Sequence, residues 1–136
     1  MADPVSIAKH VAEQLVEHSR WHPATECCGL LAGRNGVIGR VFVAANAAGD
    51  PATSYEIAPE ELFRLMRAIR AAGLELLGIY HSHPNGRNEP SPRDIERAYY
   101  PDAAYFVISP SEDAAQPMRA FSIGDGRVTE LAIEIV

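Results

Sequence analysis

Along these 136 residues the hydrophobic repeat switches repeatedly between a helical and a strand period, and the order of the switches is the strongest restriction on the fold. Ala8, Val11, Ala12, Leu15 and Ser19 follow one helical stripe, which predicts a helix ending before Pro23. The segment Glu26 to Ala32 is compact and apolar, and Arg34-Asn35-Gly36 separates it from Val37 to Ala45, the pattern of a hairpin. Asn46 to Ala52 reads as a loop and Tyr55 to Ala58 as a short strand. Pro59 opens a second helix, with Glu60 and Glu61 in its first turn and Gly73 where a C-cap belongs; its apolar face is Leu62, Leu65, Met66 and Ile69. Leu74 to Ser82 is a buried strand by its apolar density, followed by a polar loop and a helix from about Pro92 to Tyr99. Ala103 to Ser109, Met118 to Ile123 and Val128 to Val136 read as three further strands, the last two joined by Gly124-Asp125-Gly126. Helix, hairpin, helix, strand, helix, strands is the order of an α/β (α+β) layer fold, with helices flanking one curved mixed β-sheet. No repeat or linker divides the chain, so residues 1–136 are expected to form a single domain.

A chain of this length buries a core without disulfides or a structural metal, and 47% apolar with 22% charged residues is ordinary for a globular protein. The formal charge is -6, and all but one of the 12 basic residues are arginines spread along the sequence. Without a basic cluster there is no counterion-releasing grip on a phosphate backbone, so neither nucleic acid nor an anionic membrane is an expected partner. No apolar run is long enough to span a bilayer, and the start, MADPVSIAKH, lacks the pattern of a secretory signal. The expected location is cytoplasmic. Cys27 and Cys28 are adjacent, and strand neighbours point to opposite faces, so they do not pair with each other. They read as two small half-buried hydrophobes, the other reading being a reactive thiol near a site.

The chemistry is concentrated in Gly78 to Asp94, GIYHSHPNGRNEPSPRD. His81 and His83 stand two apart where a buried strand runs into a polar loop, so both imidazoles leave one face and can converge on one ion, the other reading being ordinary core or rim histidines. Further on, Ser91, Pro92 and Asp94 fit N-cap, N1 and N3 of a helix, close to a capping box, and need do nothing else. The same geometry holds the Asp94 carboxylate rigidly enough to fold back on the histidines. Two imidazoles and one carboxylate make a three-ligand zinc site with a fourth position open for water, a catalytic rather than a structural arrangement. Glu26, at the lip of the apolar segment ECCGLLAG, is either a strand-edge charge or the base that such a site needs.

His81-x-His83, Ser91 and Asp94, with the upstream Glu26, resemble the JAMM motif of the JAB1/MPN/Mov34 metallopeptidase family. The ECCGLLAG, YEIAPEEL and GIYHSHP segments are similar to small stand-alone bacterial members, and the likeness covers roughly Val5 to Ser109. The resemblance implies the JAB1/MPN-like fold with its cytidine-deaminase-like layering, and Zn2+ held by His81, His83 and Asp94. It implies Glu26 as general base and Ser91 as hydrogen-bond donor to the tetrahedral oxyanion. None of the five positions departs from the motif.

Members that remove ubiquitin carry substrate-gripping insertions for which the short connections here leave no room. Compact bacterial relatives act on ubiquitin-like sulfur-carrier proteins, so the expected reaction is hydrolysis of a peptide or isopeptide bond after a C-terminal Gly-Gly. The alternative is a catalytically silent scaffold or carrier-binding module of the same fold. A DNA-repair-associated domain has a similar His-x-His…Ser-x-x-Asp run, but its first histidine is typically followed by Asn where Ser82 stands here. A zinc deaminase would need His-x-Glu and a Pro-Cys-x-x-Cys pair, which are absent.

Overall fold

The computed structural model describes residues 3–136. Strand β1 (Val5–Ile7) leads into helix α1 (Lys9–Trp21), then come the hairpin β2 (Cys28–Arg34) and β3 (Val37–Ala44) and helix α2 (Pro59–Ala71). Strand β4 (Glu75–Ser82), the short helix α3 (Pro92–Glu96) and strands β5 (Ala104–Ile108), β6 (Met118–Gly124), β7 (Arg127–Leu131) and β8 (Ile133–Ile135) complete the order. Among the described residues the strands form one mixed sheet in the order β7-β6-β5-β4-β2-β3-β1-β8. β4 and β5 run parallel, with α3 in the crossover, whereas β2 is antiparallel to both neighbours.

The central strands of the sheet are buried on both faces. Cys28, Leu30, Ile79 and Tyr105 pack with Leu65 and Ile69 of α2, while Cys27, Leu31, Tyr80 and Phe106 pack with Val11 and Leu15 of α1. Strand alternation thus sends the two adjacent cysteines to opposite cores. Both are free and buried, and burial pushes both thiols up, Cys28 to about 12, so neither is a reactive thiolate. The β2–β3 turn is Asn35-Gly36, both at positive φ (53° and 75°), the hairpin chemistry expected of that dipeptide. Gly29 admits no side chain: a Cβ there would lie 2.5 Å from the Phe42 carbonyl oxygen and 2.7 Å from the Tyr80 ring.

Four features differ from the sequence expectation. Tyr55 to Ala58 forms no strand: the Glu56 carbonyl accepts from the Ala47 N–H at 2.7 Å, but the Glu56 N–H goes to the Asn46 side chain at 3.2 Å and the Ala58 carbonyl accepts from the Leu62 N–H of α2 at 2.9 Å. The helix after Pro92 stops at Glu96 rather than Tyr99. Pro101 disfavours a helical Tyr100, whose N–H goes instead to the Tyr105 hydroxyl at 3.0 Å. The C-terminal stretch is two strands about Ala132, β7 pairing with β6 and β8 with β1, so the curved sheet brings its two outermost strands together in consecutive chain. β1 itself, three residues long, carries too little pattern to be recognised without its partners β3 and β8. No helix among the described residues is long and apolar enough to cross a membrane.

Candidate active site

β4 carries His81 near its end, in register with Cys28 of β2 and Val107 of β5, so its backbone is held from both sides. His83 follows on the same side one pleat later. Its Nδ1–H donates to the Arg87 carbonyl at 2.6 Å, which fixes the ring and turns Nε2 inward, as a carbonyl partner does for a metal-ligating histidine. His81 is 1% exposed, and Tyr55 lies stacked on its ring with centroids 4.4 Å apart.

Asp94 reaches the histidines from α3. Ser91 and Asp94 form a full capping box: the Ser91 Oγ accepts from the Asp94 N–H at 3.1 Å, and the Asp94 Oδ2 accepts from the Ser91 N–H at 2.8 Å. The cap and the converging geometry therefore coexist, and Asp94 Oδ2 lies 3.0 Å from His81 Nε2 and 3.2 Å from His83 Nε2. The two Nε2 atoms are themselves 3.0 Å apart. A triangle with these edges is close to one face of a zinc tetrahedron, whose edge is about 3.3 Å for ligand distances near 2.0–2.1 Å. The donor set is also the right kind, two imidazoles and a hard carboxylate oxygen.

Glu26 enters from the residue before Cys27, at the mouth of β2. The Ser82 Oγ accepts from the Cys27 N–H at 2.9 Å, the Ser82 N–H donates to the Cys27 carbonyl at 3.0 Å, and the Glu26 N–H donates to the Pro51 carbonyl at 2.8 Å. These bonds register the β2 mouth against the end of β4. The Glu26 side chain is not a solvated strand-edge charge: the residue is 4% exposed and its Oε1 has no hydrogen-bond partner. A carboxylate oxygen of Glu26 and ring nitrogens of His81 and His83 lie within 4.8 Å of one another. A buried acceptor left open this close to two imidazole nitrogens is what a bound water or cation would satisfy.

The electrostatics separate the two carboxylates. Burial pushes the Glu26 carboxyl up to about 7, with His83 opposing and Asp94 reinforcing the shift. Burial also works against a charged Asp94, but hydrogen bonds from His81 and His83 outweigh it and hold that carboxyl well below the usual range. Burial pulls His81 down, while for His83 burial is overcome by its bonds to Asp94 and the Arg87 carbonyl, and its pKa rises. Two neighbouring carboxyls driven apart in this way are suited to different tasks, one a permanent anion and the other a proton carrier.

Three contributors to the site carried no signal of their own in sequence. Tyr55 stacks on His81 from a loop whose position is set by non-local contacts. Asn46 ties that loop to the base: its Nδ2 donates to the Glu26 carbonyl at 2.9 Å and the Ser54 carbonyl at 3.0 Å, while its Oδ1 accepts from Ala48 and Glu56 N–H groups. The third is the Arg87 carbonyl, invisible to any reading of side-chain types.

Residues 8–124 match the family model described as prokaryotic homologs of the JAB domain. The chain belongs to that family. Relatives of this JAB-domain protein include a desampylase of Haloferax volcanii, 37% identical over 114 residues that cover 78% of this chain and 81% of that protein. A probable TtuB-protein conjugate cleaving protease of Thermus thermophilus is 36% identical over 128 residues, 91% of this chain and 82% of the relative. A CysO-cysteine peptidase of Mycobacterium tuberculosis is 33% identical over 132 residues, 96% of this chain and 90% of the relative. A Desulfitobacterium hafniense protein solved in solution superposes with a TM-score of 0.83 at 29% identity, covering 96% of this chain and 92% of its own. A JAB1/MPN domain protein from Archaeoglobus fulgidus superposes at 0.65 with 16% identity over 95% of this JAB-domain chain and 98% of its own, a likeness of fold alone.

Proposed function

We propose that this JAB-domain chain is a zinc-dependent peptidase that hydrolyses the amide bond after the C-terminal Gly-Gly of a ubiquitin-like sulfur-carrier protein, using His81, His83 and Asp94 as metal ligands. It is a hydrolase of the metallopeptidase kind, and conjugates of ubiquitin-like carriers are its substrates. What carries the reading is the triangle of His81 Nε2, His83 Nε2 and Asp94 Oδ2, with edges of 3.0 to 3.2 Å, facing the unpartnered Glu26 carboxyl.

Bound zinc supplies a Lewis acid that polarises a carbonyl and brings the pKa of a coordinated water to about 7. The rest is the work of the chain. Glu26, buried and without another partner, takes a proton from the attacking water and passes it to the leaving nitrogen, a role that typically contributes about 10²–10⁴-fold. Burial of its carboxyl, which favours the protonated form, suits the delivery half of that exchange. The Ser91 Oγ already accepts the cap bond from Asp94 N–H, so its hydroxyl hydrogen is free to donate to the carbonyl oxygen as negative charge develops there. Losing one such donor costs about 3 kcal/mol of barrier. Asp94 remains an anion throughout, and Tyr55 and the Arg87 carbonyl keep the two imidazole planes in place.

The test uses a ubiquitin-like carrier extended by residues after Gly-Gly, mixed with zinc-loaded protein and followed by mass. Wild-type protein releases the extension, whereas Glu26→Gln and chelator-treated protein do not. Release that persists in either sample rules the mechanism out. Near-zero zinc by elemental analysis of carefully purified protein would instead favour a scaffold.

A further inference from the structure

Two clefts flank the site and differ in kind. One, about 270 Å³, is lined by Glu26, His83 and Ser91, with Arg87 and Glu89 paired to each other at its rim. The other, about 310 Å³, has Asp94 on its lining, apolar walls that include Tyr55, Ile57 and Tyr100, and Arg93 and Arg97 at its mouth. Both arginines are exposed, and neither makes an ion pair among the described residues. They stand four apart on and just past α3, so they project from one face of the helix that delivers Asp94. Glu56 stands on the same lining, and since Asp94 is turned to the histidines the mouth is left with net positive charge. In a chain of net charge -6, a local surplus of cations beside the reacting position calls for an anionic counterpart.

Proton transfer sets the direction of the substrate. Glu26 gives its proton to the leaving nitrogen, so the leaving group lies in the cleft that Glu26 lines. The acyl portion, which is the carrier's own tail, then lies in the Asp94 cavity. An extended tail advances about 3.3 Å per residue, and one helical turn is about 5.4 Å. Two glycines therefore cover about 6.6 Å, somewhat more than the turn that separates Arg93 from Arg97, and the residues just upstream of them come within reach of these long side chains. We infer that the cavity beside Asp94 receives a carrier tail with acidic residues directly before its Gly-Gly, and that Arg93 and Arg97 are the specificity residues that select it. This rests on the hydrolase reading for the direction of the chain through the site.

Binding separates the two claims. Zinc-loaded Glu26→Gln protein is titrated by fluorescence anisotropy with labelled peptides ending in Gly-Gly-Ala, carrying either Glu-Glu or Lys-Lys before the glycines. The Glu-Glu peptide binds about fivefold tighter at low salt, the modest size expected of exposed ion pairs, and the preference shrinks as salt rises. Adding Arg93→Glu and Arg97→Glu together reverses the order, and the exposure of both side chains lets the fold tolerate the change. Equal affinities, a Lys-Lys preference, a preference that survives charge reversal, or no measurable binding of either peptide overturns the inference. Cleavage of the same peptides by wild-type protein is scored separately. Acid-selective binding without cleavage would remove the activity and keep the tail site, while cleavage without selectivity does the reverse.

Discussion

Tyr55 lies nearly parallel to His81, the two ring planes 18° apart in angle and their centroids 4.4 Å apart, although they come from a loop and a strand with α2 between them in the chain. The contact leaves His81 Nε2 little freedom to swing away from Asp94 Oδ2 at 3.0 Å. Tyr55→Ala should weaken zinc binding by about 10-fold or more, the usual cost of losing a group that orients a ligand. Tyr55→Phe keeps the ring and should stay near wild type. Competition with a chromogenic chelator measures both, and equal zinc affinity in the two variants would deny the ring its orienting role.

Asp94 serves the helix cap and the histidines through one oxygen, so its substitutions should have two separable effects. Asp94→Asn keeps a capping side chain but removes the charge, so it should abolish stoichiometric zinc binding and also lose the stability that the ionised carboxylate draws from His81 and His83. Asp94→Ala should add about 1 kcal/mol of destabilisation from the lost cap. Elemental analysis and denaturant unfolding read the two effects separately.

Glu26 imposes a pH dependence on the metal-free protein. Its carboxyl is raised by burial from an ordinary value near 4.5 to about 7 in the folded state, so the fold favours the protonated form. The associated stability is fully present below the unfolded value and is lost as pH rises through about 7, by at most about 3 kcal/mol. Asp94 has the opposite sign, its lowered pKa contributing stability above its unfolded value and losing it in acid. Between pH 5 and 8 His83, its pKa also raised, acts in the same direction as Glu26 and His81, its pKa lowered, acts against it, so the Glu26 share is the difference between wild type and Glu26→Gln. Thermal unfolding of chelator-treated proteins over that range should show the wild-type midpoint falling relative to that of Glu26→Gln, and a constant difference would deny Glu26 a raised carboxyl.

Asn46 makes four hydrogen bonds that join the base to the loop carrying Tyr55. Asn46→Ala leaves two carbonyls and two N–H groups to find other partners. Destabilisation of about 2–4 kcal/mol is expected, since part of that backbone can turn to water. Under conditions where the variant is fully folded, kcat should still fall, because the Glu26 backbone is no longer tied to the loop. A folded variant with wild-type kcat would make Asn46 a purely structural residue.

Much of this protein is local and was therefore open to a reading of residues alone. The α1 stripe, the Asn35-Gly36 hairpin, the α2 face and the Ser91–Asp94 cap each depend on neighbours within a few positions, and periodicity and turn chemistry report such neighbours directly. The pattern of His81, His83, Ser91 and Asp94 with Glu26 was likewise enough to point to a family, and residues 8–124 match that family's model. What the tertiary structure alone decided is non-local. β1 exists only because β3 and β8 supply its hydrogen bonds, the C-terminal stretch splits because its halves pair with opposite ends of a curved sheet, and Tyr55 to Ala58 stays out of the sheet because Asn46 takes its N–H. The same holds for Tyr55 over His81, the Arg87 carbonyl behind His83, and the burial that lifts the Glu26 carboxyl. A carboxylate's type is written in the sequence, but its desolvation and its partners come from segments far away in the chain, and these distinguish Glu26 from Asp94.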